Sequence, residues 1–61
     1  MIRMDLWNDN KPEEVAGASA TFYPNDGEYR GNLYNRNGDI IGDYTADNSA
    51  EIEDRFPGIF G

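Results

Sequence analysis

The sequence predicts a small α+β domain, an antiparallel sheet of three to four strands covered on one face by a short C-terminal helix. Three features carry that expectation. Pro24-Asn25-Asp26-Gly27 and Asn37-Gly38 are turn signals, and the stretches around them are rich in aromatic and branched residues. Those stretches alternate in polarity, as half-buried strands do. Asn48 followed by Glu51 has the form of a helix cap, and Pro57-Gly58 supplies the stop.

In chain order, Met1 to Trp7 alternates, with Ile2, Met4 and Leu6 on one side and Arg3, Asp5 and Trp7 on the other. This segment is a candidate fourth strand. Asn8 to Glu14 is polar and contains Pro12, which suits a loop with a single helical turn at Pro12-Glu13-Glu14. The first meander strand is expected from Ala18 to Tyr23, the second from Glu28 to Asn35 and the third from about Ile40 to Ala46. Asn37-Gly38 is expected to take the positive φ values of a tight hairpin turn.

Parity assigns the faces. Ala18, Ala20 and Phe22, then Tyr29, Gly31 and Leu33, then Ile40, Gly42, Tyr44 and Ala46 are expected to point inward. Gly31 and Gly42 leave gaps on that face, or permit bends or bulges. A helix from about Ser49 to Phe56 brings Ile52 and Phe56 onto one side as the cover. Two turns do not hold themselves together in water, so packing must hold this helix. Ile59 and Phe60, in the tail 57–61, are expected to fold back as an apolar plug. The whole chain is read as one domain: entry segment 1–16, meander 18–46, helix 48–56 and tail.

Composition excludes several chemistries. The chain has 61 residues, no cysteine and no histidine, so disulfides, thiolate metal sites and Ser–His or Cys–His nucleophile systems cannot be built. Twelve carboxylates against five basic side chains give a net charge of −7. That argues against a nucleic-acid or anionic-membrane binder, each of which calls for a positive surface. No apolar run approaches the ~18 residues of a membrane span. Met1 to Trp7 has an early acid and no long apolar centre, so a signal peptide is not expected. A soluble cytoplasmic protein is the expectation, and the missing cysteine fits a reducing compartment.

Metal and cofactor sites are not expected. Asn35 to Ile40 matches the middle of a calcium-binding loop, but Leu33 and Tyr44 then occupy the positions of its first acid and its bidentate glutamate. A hairpin turn explains the same residues. Carboxylate pairs such as Asp39 with Asp43 or Glu51 with Asp54 would need a cleft, and a chain this short has little room for one. A non-enzymatic role is therefore expected.

The stretch Thr21 to Leu33, with its Tyr-x-Gly spacing, resembles one unit of the MORN repeat, a β-hairpin module. Asn37-Gly38 and Gly42-Asp43-Tyr44 continue the cadence. The resemblance spans Thr21 to Tyr44 and implies hairpins. It departs from the family in having a single unit, which forms no array, and a helix where the next hairpin would stand.

Two functional readings follow. The first is an interaction protein that binds a protein partner or itself through an aromatic sheet face or an open edge. Tyr23, Arg30, Tyr34 and Ile41 on the outer face would carry it, with Trp7 as a terminal anchor; aromatic and arginine side chains are what interface centres favour. The second is an acidic inhibitor, of the kind phage or mobile elements encode, that mimics DNA towards a nucleic-acid-binding enzyme. Asp39, Asp43, Asp47, Glu51, Glu53 and Asp54 would form its acidic face.

Overall fold

The computed structural model describes residues 1–60; residue 61, the last of the expected tail, lies outside the described residues. The strands are β1 (Arg3–Leu6), β2 (Gly17–Ala18), β3 (Thr21–Tyr23), β4 (Glu28–Tyr34) and β5 (Ile40–Ala46), followed by helix α1 (Ser49–Arg55). All pairings are antiparallel. β1 lies on β5, β5 on β4, and both β2 and β3 lie on the far side of β4. The predicted class is the observed one: an antiparallel sheet in meander-like order with one C-terminal helix packed on one face.

Turn chemistry sets the register. Tyr23 pairs with Glu28 at the closed end of the first hairpin. Its carbonyl accepts from the backbone N–H of both Asp26 and Gly27, and Gly27 takes φ +64, a value that glycine adopts without a side-chain clash. The second turn is longer than the expected two-residue type. Only Gly38 has positive φ, +86, and the Asn35 side-chain carbonyl accepts from the backbone of Asn37 and Asp39, each at 3.0 Å. Asn35 thus closes the loop as an Asx turn, a local competitor of the tight hairpin. After β1, Asn8 and Asp9 both sit at positive φ, where short polar side chains are tolerated best. The chain then crosses the end of the sheet through a single 3-10 turn at Pro12–Glu14 and enters β2 at the opposite edge.

The expected first meander strand is present as two pieces on one register. Ala18 faces Leu33 and Thr21 faces Arg30, so no residue is gained or lost between them. The ladder breaks because the peptide after Ser19 is rotated. Ser19 N–H still donates to the Asn32 carbonyl, but Asn32 N–H is received by the Ser19 hydroxyl at 2.9 Å. The Ser19 carbonyl has turned towards the helix side of the sheet. There it accepts from the Tyr44 hydroxyl at 2.6 Å.

The core is formed by Leu33, Ile41, Tyr44, Ala46 and Ile52, with Met4, Leu6, Val15 and Phe56 packed around it. Ile52, fully buried, confirms the expected helix cover. Asn48 caps α1 by accepting from Glu51 N–H at 3.0 Å, and Glu51 reaches back to the N–H of Asp47. The cap is therefore one residue wider than a standard capping box. Ile59 packs on the core, as expected of the tail, whereas Phe60 is 47 % exposed.

One face assignment is corrected. Ile41, placed outward by parity, is 5 % exposed in the core, and Ile40, placed inward, is 47 % exposed. The reason is a β-bulge: Leu33 pairs with Gly42 but Tyr34 pairs with Ile40, leaving Ile41 as the extra residue. One inserted residue reverses the parity on its far side. Beside the bulge, Gly42 lets β1 lie close to β5, since a Cβ there would meet the Asp5 carbonyl oxygen of β1.

Candidate functional site

Two surfaces present aromatic side chains. The first continues the helix-covered face beyond the reach of α1. Phe22 and Tyr29, opposite one another on β3 and β4, have ring centroids 4.9 Å apart, and Phe60 meets the Tyr29 ring edge-on at 6.3 Å. Ile52 and Phe56 cover Leu33 and Tyr44, not this end, so Phe22 stays 51 % exposed. Parity placed Phe22 and Tyr29 on this face; the helix leaves their end bare because seven residues make only ~10 Å of rise. An expected core position has become an exposed cluster.

The second surface is the outer face of the sheet. Tyr23 and Arg30 lie there, with the guanidinium 4.8 Å from the Tyr23 ring centroid. Arg30 also holds Glu28 at 2.6 Å and Asp26 at 2.9 Å, and the Glu28 carboxylate foremost raises its pKa. Tyr34 is on the same face but six residues further along β4 than Glu28, the partner of Tyr23. At ~3.3 Å per residue the two tyrosines stand about 20 Å apart. Ile41 is absent from this face for the reason given above, and Ile40 takes its place opposite Tyr34. Trp7, 39 % exposed, follows β1 at the same end and donates its backbone N–H to the Ile41 carbonyl. The five residues proposed from sequence are thus divided into a Tyr23–Arg30 pair, a Tyr34 and Trp7 end and one core residue.

The acids are divided as well. Asp43 is exposed on the outer face, opposite Asp5 of β1. Glu53 and Asp54 are exposed on α1, on the other side of the sheet, and Asp39 lies at the β4–β5 turn. Asp47 and Glu51 converge on the Met1 ammonium at 3.0 and 2.6 Å. That ammonium lowers both carboxyl pKa values, and the two carboxylates raise the amine. The sheet separates these groups, so they do not make the single acidic face expected.

Nothing among the described residues is arranged for metal chemistry: no three acidic side chains converge on a point. Among the described residues no charged side chain is buried. A recess of about 580 Å³ between the Pro12–Glu14 turn and the β4–β5 turn is lined by Asn10, Glu13, Glu14 and Arg36. Burial pushes the Tyr44 phenol up, but its hydroxyl is occupied by the Ser19 carbonyl. No helix of the described residues is long and apolar enough to cross a membrane. No family model, no curated protein and no solved structure matches the chain.

Proposed function

We propose that this chain is a non-enzymatic interaction module of the cytosol that binds a protein partner through exposed aromatic side chains. The observation that carries the reading is the Phe22–Tyr29–Phe60 cluster. Two exposed rings, Phe22 and Phe60, flank the half-buried Tyr29 at the end of a sheet whose remaining inner face is covered. Exposed rings cost hydration free energy in the isolated chain, and a partner that buries them recovers ~1–3 kcal/mol per ring. Rigid aromatic anchors are also the commonest energetic centres of interfaces.

The test is affinity capture followed by titration with the captured protein. Phe22→Ser combined with Phe60→Ser removes the two exposed rings while leaving the buried core intact. Loss of binding with an unchanged circular dichroism spectrum supports the reading. Binding within twofold of the wild type refutes it. The DNA-mimic reading keeps the net charge of −7 as its only support, because its six acids stand on different sides of the sheet.

A further inference from the structure

The outer sheet face carries its charge in rows. Residues that pair across strands stand side by side, so Arg3, Thr45, Arg30 and Thr21 form one row across β1, β5, β4 and β3. Two residues along, Asp5, Asp43 and Asn32 form the next. The first row contains two guanidiniums and no acid, and the second two carboxylates and no base. Asp5 and Asp43 are direct cross-strand partners, a like-charge pairing that weakens a sheet. Arg30 is held by Glu28 and Asp26, whereas no salt bridge joins Asp5, Asp43 or Arg3 to a group among the described residues.

We propose that a second copy of this chain covers this face, related by a two-fold axis that runs across the strands between the two rows. Rotation about that axis lays each basic row on the acidic row of the other copy. Arg3 of one copy then meets Asp5 of its partner copy twice over, and Asp43 approaches the same Arg3. The same rotation carries Tyr23 and Met1 at one end towards the partner copy's Tyr34, Ile40 and Trp7 at the other. The face is therefore self-complementary in charge at its middle, with a tyrosine at each end, Tyr23 beside Glu28 and Tyr34 beside Ile40. Sheets stacked face to face in this way keep their strands within about 30° of each other. Strands of ~23 Å across four ladder positions ~4.8 Å apart give roughly 400 Å² per copy, the size of a weak, reversible association.

The inference concerns a surface other than the Phe22 cluster, and the experiment keeps the two apart. Sedimentation equilibrium of the whole chain is run from about 20 µM to about 1 mM, the range for weak pairs. Salt is held near 0.15 M, where repulsion between two acidic chains is screened beyond ~8 Å. The wild-type mass should rise from 6.9 kDa towards twice that value. Arg3→Asp, which makes the middle of the face acidic, and Asp5→Lys with Asp43→Lys, which makes it basic, should each stay monomeric alone. Mixed in equal amounts, the two variants should form a heterodimer. A wild type that remains monomeric at the highest concentration overturns the proposal. So does a dimer that forms equally well in either variant alone. Phe22→Ser with Phe60→Ser should dimerise like the wild type, whatever becomes of partner binding.

Discussion

The Tyr44 hydroxyl donates to the Ser19 carbonyl at 2.6 Å across the bare Cα of Gly31. A Cβ on residue 31 would lie 1.8 Å from that carbonyl oxygen and 2.8 Å from the Tyr44 ring. Three features of the edge depend on one another here. The absent side chain lets the ring lie flat, the ring hydroxyl takes the rotated carbonyl, and the Ser19 hydroxyl replaces that carbonyl in the ladder.

Gly31→Ala should therefore destabilise the chain by about 2–3 kcal/mol or more, since backbone and ring must both move. Tyr44→Phe keeps the packing and removes only the donor, at a cost of about 1–2 kcal/mol for the carbonyl left without a partner. Urea unfolding followed by circular dichroism measures both. If Gly31→Ala unfolds at the wild-type midpoint, the Ser19 carbonyl does not lie over residue 31.

The bulge at Leu33/Tyr34 makes opposite forecasts for adjacent isoleucines. Ile41→Ala opens a cavity in the core and should cost about 2–4 kcal/mol. Ile40→Ala, on the exposed side, should stay within about 1 kcal/mol of wild type. Equal losses at the two positions, or a larger one at Ile40, would mean that β5 follows simple alternation.

Asp43→Asn should raise stability by about 0.2–1 kcal/mol by removing the like-charge pairing with Asp5. The gain should shrink in molar salt, where screening acts within ~3 Å. A destabilised variant would show that Asp43 has a favourable partner.

The Met1 ammonium gives the stability profile two limbs. Asp47 and Glu51 have pKa values lowered from 3.8 and 4.5 by that ammonium. Their contribution is present above those unfolded values and is lost as pH falls through the folded ones. The amine is raised from 8.0, so its contribution is present below pH 8.0 and is lost as pH rises through the folded value. Tyr44, raised from 10.0 by burial, adds a further loss in stronger alkali. Unfolding midpoints from pH 3 to 10 should form a plateau between the carboxyl range and pH 8. Acetylating the α-amine should lower the plateau towards the levels of the two limbs, and an unchanged profile after acetylation would remove the ammonium from the account. The ammonium and Asp47 are exposed and Glu51 is only half-buried, so the effect should be small and salt-sensitive.

Local chemistry made much of the fold legible. Glycine at 27 and 38, Asn48 before Glu51 and the alternation from Arg3 to Leu6 each specify backbone geometry within a few residues. The inner positions on β4 followed from the same alternation, and Ile52 as the lid followed from helical spacing. Two kinds of feature lay out of reach. The bulge that exchanges Ile40 for Ile41 lies where β5 is packed between β4 and β1, strands distant from it or from each other in the chain and brought together only by the fold. The bare aromatic end depends on where a short helix comes to rest over a longer sheet.

By itself, the order of residues determined where the strands, turns and helix cap fall and the absence of thiol and imidazole chemistry. These depend on backbone torsion preferences and side-chain type, which act over short separations. Tertiary packing alone decided which isoleucine is core, that Tyr44 reaches Ser19, and which rings remain in water. Each of those outcomes is a competition for space among segments far apart in the chain, and steric exclusion between distant segments has no signature in any one of them.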